Sequence, residues 1–308
     1  MTLAVLFGGQ GTQHPLMLPW LAEDALVAQT CEALGTRDWR AALSDPAWAT
    51  TNRHAQVLLT GLGLAAWRQI EAGLPPVGAL AGYSVGELAA FAAAGVFSDA
   101  MALQLAQQRV ACMDQALAQA GEGGGLLSVA GPRSRVLDLL AQARERDPGL
   151  GLAIDLGADA AILGGPQAAL ARAAVALEGL GLRCKPLNVA IASHVPMLTE
   201  AAAGFARALD AHDLRPPRCP LFANLSGARV RRAEDARRAL AGQIASTVRW
   251  ADCLDAVHAQ RVRCVLEVGP GSALASMWRQ RFPEVPARSV DEFRSAAAVI
   301  DWVQRQLR

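Results

Sequence analysis

Gly82-Tyr83-Ser84-Val85-Gly86 places one hydroxyl between two glycines, directly after the apolar run Val77 to Ala81 and directly before a helix-like segment, Glu87 to Ala94. That succession of strand, sharp turn and helix is what a nucleophilic serine needs. Glycines on either side let neighbouring chain approach closely, and the strained turn holds the Ser84 Oγ clear of the sheet. The free N–H groups at the start of the helix face the point where an oxyanion develops. The chemistry open to such a serine is attack on an acyl carbon. The five-residue pattern is common by chance, so its weight comes from the strand before it and the helix after it.

A serine hydroxyl needs a base within hydrogen-bond reach, and the histidines stand at 14, 54, 194, 212 and 258. His194 is favoured because Ala192-Ser193-His194-Val195-Pro196 is a small-residue turn between a strand-like and a helix-like segment. His54 falls in a helical pattern and His212 in a polar loop, where surface or structural roles fit better. His14 and His258 stay open. The loop Gly8-Gly9-Gln10-Gly11-Thr12-Gln13 lacks the Gly-Lys-Ser/Thr of a nucleoside-triphosphate loop and has His14 where a dinucleotide fingerprint needs its third glycine. Following the first strand, it more naturally supplies a second backbone donor to an oxyanion hole.

The elements that must position these groups alternate along the chain. Thr2 to Phe7 reads as a buried strand opening into the glycine loop, and His54 to Ala72 and Asp99 to Ala118 read as helices. The character changes at the glycine-rich joint Gly121 to Gly125. Beyond it come a strand at Leu126 to Val129, a helix from about Pro132, and a strand near Leu152 to Asp155. A turn at Ile162 to Pro166, a helix from Gln167 to Glu178 and a strand at Arg183 to Leu187 follow. This is read as a β-α-β-β-α-β succession, the ferredoxin-like pattern. It predicts a small α+β domain at 122–188, inserted into a large α/β domain formed by 1–121 and 189–308. Val262 to Val268 gives the large domain a further strand before the turn Gly269-Pro270-Gly271. Alternating strands and helices predict a mostly parallel sheet covered on both faces.

Bulk composition excludes several classes. The 308 residues favour one large domain with an insert over a single compact unit. With 29 basic and 28 acidic side chains, net +1, there is no excess of positive charge to neutralise phosphates, so nucleic acid is not an expected partner. The Arg-rich run Arg229 to Arg238 reads as one solvated helix face. Six scattered cysteines with no C-x-x-C pair, and no signal-like start, are read as reduced thiols of a cytoplasmic protein. No apolar stretch reaches the ~20 residues of a membrane span. No metal site is expected.

At this point several separate motifs stand in one order. They are Phe7 to Gln13, Gly82 to Leu88, Arg109 in the long helix, Ser193-His194-Val195-Pro196-Met197, Asn224-Leu225-Ser226-Gly227, Gln243 before Val248-Arg249-Trp250, and Glu267 to Gly271. Over essentially its whole length the chain resembles the malonyl-CoA:acyl-carrier-protein transacylases and related acyltransferase domains. That resemblance implies an α/β-hydrolase-like large domain with a ferredoxin-like insert. It also implies Ser84 as nucleophile, His194 as its base, and backbone N–H groups of Gln10 and Val85 as the oxyanion hole. Arg109 would hold the malonyl carboxylate, the carbonyl of Gln243 would orient His194, and Asn224 would support the site. Gly9, Gly11, Gly82 and Gly86 would shape the two turns. No cofactor is expected to bind tightly. Malonyl-CoA is the implied substrate and CoA the product, and the accepting thiol belongs to the prosthetic group of a carrier protein.

Tyr83 departs from the family pattern, which places His before the nucleophile. A phenol donates a hydrogen bond but cannot become a cation, so any part it takes in substrate binding differs from that of imidazole. Phe-Gly-Gly-Gln-Gly together with Gly-Tyr-Ser is most similar to the epsilon subunit of malonate decarboxylase. That points to the decarboxylase carrier subunit as acceptor. A fatty-acid biosynthetic transacylase, a thioesterase and a non-catalytic scaffold subunit are the alternatives.

Overall fold

Leu3, Val5 and Phe7 face one side of the first strand, Ala4 and Leu6 face the other, and all five are buried. A strand covered on both faces has no polar side to show, which is why this run reads as continuously apolar. The computed structural model describes residues 2–120, 123–143, 145–187, 189 and 191–308. In chain order the strands are β1 (Leu3–Phe7), β2 (Val77–Gly82), β3 (Gly124–Ala130), β4 (Gly151–Asp155) and β5 (Ala160–Pro166). They continue with β6 (Arg183–Pro186), β7 (Leu221–Phe222), β8 (Arg229–Val230), β9 (Cys264–Val268) and β10 (Ala287–Ser289).

The larger sheet has the order β10-β9-β1-β2-β7-β8. Its first five strands are mutually parallel, and β8 closes one edge antiparallel to β7. Helices Asn52–Glu71, Gly86–Ala93 and Asp99–Ala120 pack on the face that carries Leu3, Val5 and Phe7. The other face holds Ala4, Leu6, Ala79 and Ala81 against Trp250 and Trp278 of helices Trp250–His258 and Ala273–Arg281. Small strand residues there leave room for the large aromatics of these helices.

The smaller sheet is wholly antiparallel, in the order β4-β5-β3-β6. Helices Arg133–Ala143 and Gln167–Gly179 complete a β-α-β-β-α-β succession. Residues 122 and 188, the expected bounds of this unit, lie outside the described residues, as does Gly121 of the expected joint. Gly124 and Gly125 belong to β3 rather than to a linker. Ile162 to Pro166, expected as a turn, lies within the strand β5. Its glycines mark close packing instead: a Cβ on Gly164 would meet Val195, Ala153 and Leu126 at 3.1–3.2 Å. Strand β4 also docks on the larger unit, where Val248 N–H donates to Ala153 O at 2.9 Å and Asp155 N–H to Val248 O at 2.9 Å. The Arg229 to Arg238 run is not one helix face. It starts in edge strand β8, and the helix begins at Ala233.

All six cysteines are free. Among the described residues no helix is long and apolar enough to cross a membrane, and no cluster of three or more His, Cys, Asp and Glu could hold a metal.

Candidate active site

Strand β2 delivers Ser84 into a turn where its φ is 55°, a left-handed conformation that costs a non-glycine residue about 1–2 kcal/mol. The surroundings hold it there. A Cβ on Gly82 would lie 2.2 Å from Gly86 C and O, and one on Gly86 would lie 2.4 Å from Phe7 O and 2.7 Å from Gly8 O. The elbow is therefore pressed at Gly86 against the chain that leaves β1, where a side chain would separate the two, while a side chain at Gly82 would force the elbow itself open.

Asn224, which follows β7, locks the turn from beneath. Its Oδ1 accepts from Ser84 N–H at 2.8 Å, its Nδ2 donates to Gly82 O at 2.7 Å, and it is fully buried. Its own N–H donates to Glu87 Oε1 at 2.6 Å. Asn224 thus clamps the backbone on both sides of Tyr83.

His194 comes from the segment between β6 and helix Thr199–Asp210, and its φ is also left-handed, at 67°. Its Nε2 stands 2.7 Å from Ser84 Oγ, and its Nδ1 stands 2.6 Å from Gln243 O. A carbonyl can only accept, so Nδ1 carries the proton and Nε2 turns its lone pair to the serine. Burial pushes His194 down to about 3, the charge of Arg109 acts in the same direction, and the bond to Gln243 opposes both. The imidazole is neutral at physiological pH and free to take a proton. Three of the other histidines are engaged elsewhere: His14 with Asp291, His54 stacked on Trp48, and His258 with Glu284 and Phe282. The main-chain oxygen of His212 accepts from Arg237.

Arg109 is 1% exposed in the middle of helix Asp99–Ala120. Its Nη1 donates to Gln56 Oε1 and to Met113 Sδ at 3.2 Å, and its Nη2 lies 3.5 Å from Gln243 Oε1, while Nε has no partner. Gln243 also donates from Nε2 to Ser84 O at 3.2 Å. One residue thereby touches the serine, the histidine and the arginine. Gln56, Glu87 and Met113 went unsingled in the sequence. The available signal was a polar or charged side chain set into an otherwise apolar helix, as in Gly86–Ala93, where Glu87 is fully buried.

The Gln10 loop adjoins the elbow, since a Cβ on Gly9 would lie 2.8 Å from Tyr83 O. Gly11 has φ 110°, and its N–H donates to Gln13 Oε1 at 2.8 Å. The N–H groups of Gln10 and Val85 make no hydrogen bond among the described residues. A cavity of about 340 Å³ opens beside Gln10, lined by Asn52, Asp114, Leu117 and Ile191 among others. A cavity of about 620 Å³ at the far end of helix Gly86–Ala93 contains none of these groups, so the chemistry is placed by the serine and not by cavity size. Tyr83 packs edge-on against Trp250 at 5.1 Å between centroids and makes no hydrogen bond to Arg109 among the described residues. Burial raises its phenol well above the usual range, so it stays neutral.

A serine with a neutral imidazole at Oγ, two unengaged N–H groups on the flanking loops and a buried guanidinium can form, hold and release an acyl ester. The acyl transferase domain family matches residues 6–306, and the chain belongs to that family and is an acyltransferase. Among its relatives, the malonyl CoA-acyl carrier protein transacylase of Mycobacterium bovis is 32% identical over 94% of this chain and 96% of its own length. The polyketide biosynthesis protein ThaF of Burkholderia thailandensis is 32% identical over 75% of this chain, which spans only 19% of that larger protein. The malonyl-CoA:acyl carrier protein transacylase of Xanthomonas oryzae superposes with a TM-score of 0.89 at 29% identity, covering 98% of this chain and 99% of that one. A malonyl-transacylase in complex with a type II PKS acyl-carrier protein superposes equally well, with a TM-score of 0.89 at 26% identity over 98% of this chain and 99% of that one.

Proposed function

We propose that the protein transfers malonyl from malonyl-CoA to the thiol of an acyl carrier protein through an ester on Ser84. The observation that carries the reading is the Ser84 Oγ to His194 Nε2 contact of 2.7 Å, with buried Arg109 linked to both residues through Gln243. His194 takes the Ser84 proton as Oγ attacks the thioester carbonyl. The oxyanion rests on the N–H groups of Gln10 and Val85. The C–S bond then breaks, and the proton on His194 passes to the departing CoA sulfur. In the second half-reaction His194 takes the proton of the carrier thiol, the sulfur attacks the ester carbonyl, and the Ser84 Oγ leaves with that proton. Arg109 pairs with the free carboxylate, which fixes the carbonyl over Ser84. Gln243 O holds the histidine tautomer, so no acidic third member is required.

Between carriers, the named relatives favour the biosynthetic acyl carrier protein, the reading given above as an alternative, over the malonate decarboxylase subunit. The decarboxylase reading keeps Tyr83 as its specific support. In this account residues 122–188 form an inserted ferredoxin-like domain, which the strand order of the smaller sheet supports. The test gives the enzyme malonyl-CoA and equal concentrations of the two carriers, each with its own prosthetic group, and compares kcat/KM. Preference for the biosynthetic carrier is expected. Preference for the decarboxylase carrier would restore the other reading and leave the chemistry at Ser84 unchanged.

A further inference from the structure

Asn52 and Asp114 stand at the wall of the cavity beside Gln10, and a relay of hydrogen bonds runs from them inward to Arg109. Asn52 Nδ2 donates to Asp114 Oδ1 at 2.9 Å, Gln56 Nε2 donates to Asn52 Oδ1 at 2.6 Å, and Gln56 Oε1 accepts from Arg109 Nη1. Asn52 and Gln56 lie four residues apart on helix Asn52–Glu71, so their side chains share one face. Arg109 and Asp114 come from helix Asp99–Ala120. Burial deepens along the relay: Asp114 is exposed, Asn52 half-buried, and Gln56 and Arg109 buried.

The chemistry of the two ends leaves each amide a single orientation. A guanidinium only donates and a carboxylate only accepts. Gln56 must turn its oxygen to Arg109, which sends its Nε2 to Asn52. Asn52 must then present its oxygen to Gln56, which sends its Nδ2 to Asp114. Without Asn52, the buried Nε2 of Gln56 would keep only Met113 Sδ at 3.5 Å, a weak acceptor. On Arg109, Nη1 is held by Gln56 and by Met113 Sδ at 3.2 Å. Among the described residues Nε has no partner, and Nη2 has only Gln243 Oε1 at 3.5 Å. The relay thus anchors one corner of the guanidinium and leaves its Nε–Nη2 edge, a fork that matches a carboxylate.

We propose that Asn52 is a positioning residue for Arg109: between Asp114 and Gln56 it holds the amide that anchors the guanidinium, and so sets the preference for acyl groups that carry a free carboxylate. This rests on the reading that Arg109 holds the malonyl carboxylate. Asn52 and Asp114 make no hydrogen bond to Ser84 or His194 among the described residues, so the relay acts on acyl selection and not on proton transfer.

The test measures kcat/KM for malonyl-CoA and for acetyl-CoA with one acyl carrier protein as acceptor and reads their ratio, which a general loss of stability does not move. Asn52→Leu should lower the malonyl-to-acetyl ratio by about tenfold, the scale of one hydrogen bond to a charged group. In an Arg109→Ala background the same substitution should leave the ratio where Arg109→Ala alone puts it. Asn52→Asp sets two carboxylates face to face and should also lower the ratio. Adding Asp114→Asn restores the order of donors and acceptors, and the double variant should recover the parent's ratio. A parent-like ratio in Asn52→Leu, an equal drop with Arg109 absent, or a double variant no better than Asn52→Asp would overturn the proposal. If Asn52→Leu fails to fold, the exchanged pair decides. Arg109→Ala alone separates the two readings. A parent-like ratio in that variant removes Arg109 from recognition and the relay with it, whereas a collapsed ratio beside a parent-like Asn52→Leu removes only Asn52.

Discussion

The imidazole Nδ1 of His194 lies 2.6 Å from the main-chain carbonyl of Gln243. That bond fixes which nitrogen faces Ser84, and it comes from a residue whose side chain also reaches Ser84 O and approaches Arg109. The base is thus aligned by backbone, and nothing at the Nδ1 side carries a negative charge that would favour imidazolium. Its neutral state follows from burial and from Arg109.

His194→Ala should slow acylation by about 10²–10⁴-fold, the scale of a positioned proton-transfer group. With His194 pushed down to about 3, the parent's kcat/KM for malonyl-CoA should show no inflection near 6.5. Stopped-flow acylation between about pH 5 and 7 checks both points, and a clear inflection at the ordinary histidine value would place the base in a wetter site.

Arg109→Ala should lose malonyl transfer and keep or gain acetyl transfer, because only malonyl would leave a buried carboxylate unpaired. The variant also removes the hydrogen bonds of a buried guanidinium to Gln56 and Met113, so thermal unfolding is followed in parallel. Equal losses for the two acyl groups would make Arg109 structural.

Asn224→Ala removes the clamp on both sides of Tyr83 and orphans Ser84 N–H and Gly82 O. Urea unfolding should show a loss of about 2–3 kcal/mol. The acylation rate should fall by about 10²-fold through misplacement of Oγ. A variant with parent-like kinetics would mean that the glycine contacts alone hold the elbow.

The Ser84 elbow was legible because strand, turn and helix each have a local signature, and the parallel sheet followed from alternation. Other parts carried no local signal. Strand β5 contains Gly164 and Gly165, which read as a turn until the neighbours that require them, Val195 and Leu150, are in place. Strands β7 and β8 have two residues each, too few for a period. Glu87 stands in the first turn of its helix, where an acid is ordinary in sequence, and only tertiary packing buries it.

Stability should fall toward both ends of the pH range for different reasons. His194 is depressed in the fold, so its contribution is present above about 6.5 and is lost as pH falls through about 3. Glu87 is raised, so its contribution is present below 4.5 and is lost as pH rises through about 8. Glu267, buried on β9 and raised to about 7, adds to the same alkaline limb. Each pH unit between folded and unfolded values corresponds to about 1.4 kcal/mol. Glu87→Gln should flatten part of the alkaline limb and leave the acid limb intact; an unchanged alkaline limb in urea midpoints across pH would contradict this assignment.

The central claim is the acyl-serine. Brief incubation with malonyl-CoA, quenching in acid and peptide mapping by mass spectrometry should place the added malonyl mass on the peptide containing Gly82 to Gly86. Ser84→Ala protein should remain unlabelled under the same conditions. The same adduct on the Ser84→Ala protein, or a label mapping to another peptide of the parent, would contradict the account.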